Sequence, residues 1–210
     1  MQSLNLTGNG IGDSGLKLLL RGIERHPSIR DLSLGFNDIS PEGSAHLIAI
    51  LPKTKLKFVD LSRNIVEDES LIMLGDLYRS GQNVQLTKIN FSSCRITDCG
   101  LLYIMESIED NKLLKDINFR DNFISENSEK ILCELMEKNH HLIKLDLHGN
   151  RISLSCLSRV NKLLNRNIHD YDFKEPNRLN NTVPIFFLKI SRFTGCSTRN
   201  GKSSKPRKIF

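Results

Sequence analysis

Leu145-Asp146-Leu147-His148-Gly149-Asn150 decides the fold, because five earlier segments repeat it. They are Leu4-Asn5-Leu6-Thr7-Gly8-Asn9, Leu32-Ser33-Leu34-Gly35-Phe36-Asn37, Val59-Asp60-Leu61-Ser62-Arg63-Asn64, Ile89-Asn90-Phe91-Ser92-Ser93-Cys94 and Ile117-Asn118-Phe119-Arg120-Asp121-Asn122. Their last residues are spaced 28, 27, 30, 28 and 28 apart. Eight residues before each stands Met1, Ile29, Leu56, Leu86, Leu114 or Leu142, and two after each stands Ile11, Ile39, Val66, Ile96, Ile124 or Ile152. A fixed period of this length means that each copy buries its apolar face only against its neighbours. Successive strand residues point to opposite faces, so Leu4 and Leu6 and their equivalents point into a core while Asn5 and Thr7 point away. After each Asn or Cys the spacing becomes helical, as in Leu16, Leu19, Leu20 and Ile23, in Leu101, Ile104, Met105 and Ile108, and in Ile131, Leu132, Leu135 and Met136. Strand then helix, six times over, predicts an α/β solenoid shaped as a horseshoe, with parallel strands on its concave face and helices on its convex face. An Asn suits the turn between them because its amide both accepts from and donates to a backbone between two regular elements. Cys94 donates more weakly, which predicts a looser turn there.

The pattern LxxLxLxxN/CxL resembles the leucine-rich repeat, and the 27 to 30 residue period resembles its ribonuclease-inhibitor-type subfamily, over about residues 1–165. Ribonuclease inhibitors, actin-regulatory proteins, immune receptors and ciliary or centrosomal components belong to that subfamily. The resemblance implies a non-enzymatic scaffold that binds a protein partner, of unstated identity, on the concave face.

The two ends depart from the repeat. Met1 already occupies the first position of the pattern with no polar cap before it. The N-terminal edge is therefore expected to be open, as in a fragment, a truncated isoform, or a solenoid that self-associates or stacks on something else through that edge. At the other end Leu157, Val160, Leu163 and Leu164 predict a last helix that stops at Asn165-Arg166-Asn167. Residues 166–194 read as a linker-like extension, and residues 195–210, rich in Ser, Lys and Arg, as a basic disordered tail. Lys174-Glu175-Pro176-Asn177-Arg178-Leu179 resembles the linker that follows the last repeat in some centrosomal and ciliary leucine-rich repeat proteins. There it leads into a coiled coil; here Pro184 interrupts and no heptads follow.

Composition narrows the function classes. The net charge of +6 is concentrated late: from Arg166 onward ten Lys or Arg face three acids, and the body before them is close to neutral. That argues against a nucleic-acid-binding domain, and the tail lacks the interleaved aromatics that stack on bases. No stretch approaches the roughly 20 apolar residues of a membrane-spanning helix. The N-terminus lacks the basic-then-apolar layout of a signal peptide, and the five Cys are odd in number without metal-type pairing. The expected setting is therefore intracellular and reducing, in the cytoplasm. With the linker-like segment, this points to a cytoskeletal, centrosomal or ciliary assembly.

Several motifs are explained by the repeat. Gly10-Ile11-Gly12-Asp13-Ser14-Gly15 is a literal GxGxxG with Asp31 beyond it, the outline of a dinucleotide site. The same slots in the next copy hold Asp38, Ser40 and Gly43, so it reads as an ordinary turn and no cofactor is expected. The six His residues do not converge on one locus, as zinc would require. Ser92, Asp146 and His148 carry the residue types of a catalytic triad but lie two strands apart on an open sheet, so neither catalysis nor a small-molecule substrate is expected.

The concave face then carries the function. Its candidate partner-binding residues are Phe58, Asp60, Lys88, Asn90, Asp116, Asn118, Arg120, Lys144, Asp146 and His148. Phe58, Arg120 and His148 are the large side chains among small polar ones, and aromatics and Arg carry much of the energy of protein interfaces. A rival reading is a GTPase activator resembling the Ran GTPase-activating protein, with Arg63, Arg95 or Arg151 beside the Asn positions. That family carries an acidic segment after its repeats, where this chain is basic.

Overall fold

The computed structural model describes residues 1–174; the rest of the extension expected over 166–194 and the tail expected over 195–210 lie outside the described residues. Six strands alternate with six helices: β1 Ser3–Asn5, α1 Gly12–Arg25, β2 Asp31–Ser33, α2 Pro41–Ile50, β3 Phe58–Asp60, α3 Glu67–Arg79, β4 Lys88–Asn90, α4 Asp98–Ser107, β5 Asp116–Asn118, α5 Glu129–Lys138, β6 Lys144–Asp146 and α6 Leu154–Lys174. The strands form one parallel sheet in chain order, β1 to β6. The register pairs Leu4 with Leu32, Leu32 with Val59, Val59 with Ile89, Ile89 with Ile117 and Ile117 with Leu145. Every repeat thus places the same pattern position over its neighbour, as the sequence predicts for an α/β leucine-rich repeat solenoid.

The core is a stack of these inward residues with the helix stripes behind them. Leu32, Leu34, Ile39, Leu86, Ile96, Ile117, Phe119 and Ile124 are wholly buried. Phe91 and Phe119 stack in consecutive turns with ring centroids 5.9 Å apart, filling the slot that holds Leu in the other repeats. The first strand differs, since Leu4 and Leu6 are only half-buried where their equivalents Leu32 and Leu34 are covered. In α5 the expected stripe is rotated: Ile131 is 47% exposed and Cys133 is buried. Helical spacing alone did not set which apolar residues face inward.

The Asn positions form a ladder. Asn37 Oδ1 accepts the backbone N–H groups of Asn9 and Ile11, and its Nδ2 donates to the carbonyls of Leu6, Leu34 and Gly35. Asn64, Asn122 and Asn150 make the equivalent bonds to their preceding repeats. At Cys94 the donor half survives as a thiol contact to the Leu61 carbonyl at 3.1 Å, while sulfur is a poor stand-in for the Asn acceptor oxygen. Burial pushes the Cys94 thiol up to about 12, with the N–H groups of Asn64 and Arg63 pulling the other way. The thiol therefore stays protonated and donates.

The last helix corrects an expectation. The stop foreseen at Asn165-Arg166-Asn167 lies inside α6, which runs on to Lys174. Asn167 repeats the spacing of Asn111 and Asn139, which close the turns after α4 and α5, and its amide donates back to the carbonyls of Asn139 and Leu142, as that of Asn139 does to Ile108. Arg166 beside it donates to the carbonyls of Met136, Glu137 and Asn139. These carbonyls lie at the C-terminal end of α5, where a helix leaves acceptors unsatisfied and favours a cation. The longer helix thereby caps the C-terminal end of α5.

Candidate functional site

Parallel register arranges the outward side chains in rows across the strands. The first row reads Ser3, Asp31, Phe58, Lys88, Asp116, Lys144, and the second Asn5, Ser33, Asp60, Asn90, Asn118, Asp146. In the first row four neighbours are linked side chain to side chain. Lys88 Nζ lies 5.3 Å from the centre of the Phe58 ring and 3.3 Å from Asp116 Oδ2, and Lys144 Nζ approaches the same oxygen at 3.6 Å. Exposed pairs of this kind contribute about 0–1 kcal/mol each, so the row adds little stability. Its consequence is orientation, since two long lysine side chains are held over β4–β6.

The second row is turned inward to its own backbone. The Oδ1 atoms of Asp60, Asn90, Asn118 and Asp146 accept the N–H groups of Ser62, Ser92, Arg120 and His148 at 2.9, 3.0, 2.9 and 3.0 Å. Each is an Asx turn that ends a strand. The side chains just beyond the turns pair with neighbouring acids at the surface. Arg120 lies exposed with its Nε 3.3 Å from Asp121 Oδ2, and His148 Nδ1 lies 2.8 Å from Asp146 Oδ1. Ser92 stands two strands from this Asp–His pair, as expected. Among the described residues no group of three or more His, Cys, Asp or Glu is placed to hold a metal ion, and no helix is long and apolar enough to cross a membrane.

Two residues escaped the sequence reading. Phe36 and Phe123 flank the Asn positions of the second and fifth repeats and are 63% and 65% exposed. Phe36 also holds a left-handed backbone with φ of 55°, in a slot that Gly8 and Gly149 fill in the end repeats. A bulky residue pays a strain there that glycine does not. For Phe36 the available signal was an aromatic at a turn position where glycine or a polar residue stands in the other repeats; the slot of Phe123 also holds Ile65. The Arg residues of the rival reading are spread along the same turns: Arg63 precedes Asn64, while Arg95 follows Cys94 and Arg151 follows Asn150, and Arg95 pairs with Glu67 at 3.7 Å.

Known proteins share this architecture. A family model described as Leucine Rich repeat matches residues 1–20, 25–44, 82–105 and 138–155. The human NACHT, LRR and PYD domains-containing protein 5 is 26% identical over 200 residues, covering 94% of this chain and 16% of its own length. The human NACHT, LRR and PYD domains-containing protein 14 is 26% identical over 200 residues, with 92% and 18% covered. The chain thus spans less than a fifth of the length of these relatives. Among solved structures, Leiomodin-1 Actin-Binding Site 2 superposes with a TM-score of 0.61 at 23% identity, covering 69% of this chain and 84% of that one. The tropomodulin C-terminal domain of Caenorhabditis elegans gives 0.51 at 16%, covering 84% and 89%. Six in-register turns of strand, ladder residue and helix, together with these matches, make the chain a leucine-rich repeat protein.

Proposed function

We propose that the chain is a non-enzymatic interaction module that holds a protein partner against its strand-lined face. The contact centres on Phe58, Lys88, Asp116, Arg120, Lys144 and His148, with Phe36 and Phe123 extending it along the adjoining turns. Asp60, Asn90, Asn118 and Asp146 shape the surface by closing the strand ends. The observation that carries this reading is the linked row Phe58–Lys88–Asp116–Lys144, an exposed aromatic and a set of pre-positioned charges on adjacent strands. Mixed charge suits a partner recognised by register more than by bulk attraction. A cytoskeletal partner is the first to test, since the leiomodin-1 structure that shares this fold is an actin-binding site. A centrosomal or ciliary address belongs to the same proposal.

Proximity labelling in cells tests it, comparing the intact chain with one carrying Phe58→Ala, Arg120→Ala and His148→Ala together. A set of neighbours lost with the three changes supports the reading. The same neighbours retained would move the binding surface to the helices, the tail or the open first strand.

A further inference from the structure

Cys133 on α5 and Cys156 on α6 bring their sulfur atoms to 3.8 Å, and each residue is only 5% exposed. The other described cysteines have no such neighbour: Cys94 lies in the Asn ladder and Cys99 is exposed. The pairing follows from a change in the repeat. Six residues after the ladder position, Gly43 and Gly100 leave space for the carboxylates of Asp13 and Asp68, which a Cβ would strike. Cys156 holds that slot in the sixth repeat, and there the acid comes from Glu129, the first residue of α5. In this slot the thiol at Cys156 meets the thiol at Cys133.

Access and position both matter. A groove of about 440 Å³ opens over the two thiols, rimmed by Lys130, Glu129 and Arg159. A disulfide bond is about 2.05 Å long, so the sulfurs need to close by less than about 2 Å. In a solenoid each unit contacts only its neighbours, and α5 is the helix on which α6 packs among the described elements, so a bond here ties α6 to its neighbour.

We propose that Cys133 and Cys156 form a reversible disulfide that staples α6 to α5, with a low-molecular-weight disulfide such as glutathione disulfide as the oxidant. One protein thiolate attacks a sulfur of glutathione disulfide, forming a mixed disulfide and expelling one glutathione thiolate. The second protein thiolate then attacks the protein sulfur of that mixed disulfide and expels the other. Two protein thiols lose two protons and two electrons, and one glutathione disulfide becomes two glutathione molecules. Burial pushes the Cys156 thiol up to about 12, with Cys133 beside it adding to the rise. Thiolate is therefore scarce at neutral pH, and the exchange is slow there and faster in alkali.

The test uses the full chain carrying Cys99→Ser and Cys196→Ser, equilibrated in glutathione buffers from reducing to oxidising, quenched in acid, alkylated and peptide-mapped without reduction. The expected result is a linked pair of peptides holding Cys133 and Cys156. The oxidised chain should melt higher by on the order of 5 °C, and dithiothreitol should abolish the rise. A companion with Cys156→Ala should show no oxidant-dependent shift. If that companion does not fold, the peptide map and melting of the parent decide the matter. Free, alkylated Cys133 and Cys156 at the oxidising end even in alkali, or a linked chain that melts no higher than the reduced one, would overturn the proposal.

Discussion

Asp98 Oδ1 accepts the Ser125 backbone N–H at 2.7 Å and Asp98 Oδ2 accepts the Ser125 hydroxyl at 2.5 Å, so the first turn of α4 holds the residue that opens the next helical segment. The relationship recurs as Asp13 to Ser40, Asp68 to Thr97 and Glu129 to Ser153. It forms a second ladder, parallel to the Asn ladder, at the N-terminal ends of the helices, where an anion is favoured. Between the second and third repeats it is absent, because Glu67 stands where the others have Ser or Thr. A buried contact between the Ser44 and Ser70 hydroxyls joins that step instead. Asp98→Ala should cost about 1–2 kcal/mol of stability, the value of a charge-assisted pair that is partly exposed, read as a lower urea midpoint.

Cys94→Asn should act in the opposite sense. It restores an acceptor for the N–H groups of the preceding turn, as Asn122 Oδ1 provides for Cys94 and Ile96. A gain of about 1 kcal/mol in urea unfolding is expected. A loss would mean that the shorter thiol is needed for packing between Asn64 and Asn122.

Tyr78 offers a different test. Its hydroxyl is buried without a hydrogen-bond partner among the described residues, and burial raises its pKa. Removing a polar atom that has lost its water and found no partner costs nothing, so Tyr78→Phe should leave stability unchanged or raise it by about 1 kcal/mol. A clear drop in the thermal midpoint would show that the hydroxyl is bonded in solution.

Acid should weaken the fold in part through His141. Burial first, then the charges of Lys115 and Lys112, hold its pKa below the ordinary value. As pH falls below about 6.5 the unfolded chain takes up this proton before the folded one. Stability present above that pH is thus lost as pH falls toward the lowered value. Stability measured against pH should decline less steeply over this range for His141→Gln than for the parent.

The repeat made the strands, their order and most of the core legible, because one period fixes which position lies over which. Other features depended on geometry that a period does not carry. Ile131 and Cys133 both fit a helical stripe, and only packing against α6 decided which is buried. Asn167 has the spacing of two turn-forming Asn residues yet sits inside a helix, because no further repeat follows it among the described residues. The outward positions of the strands were assigned by alternation alone. That Asp60, Asn90, Asn118 and Asp146 are tied to their own backbone, while Phe58, Lys88 and Lys144 are linked in a row through Asp116, needed the distances.

Phe36 separates the proposed surface from the fold. Phe36→Gly relieves the left-handed strain and should raise stability by about 1 kcal/mol while weakening capture of a partner. Stronger folding with unchanged capture would remove Phe36 from the surface.

The central claim is that a protein partner lies against the strands. A photo-crosslinking amino acid placed at Lys88, and in a separate chain at Glu134 on the exposed side of α5, tests it directly in cells. The account predicts a defined protein adduct from position 88 and none from position 134. The same adduct from position 134, with none from position 88, would contradict it.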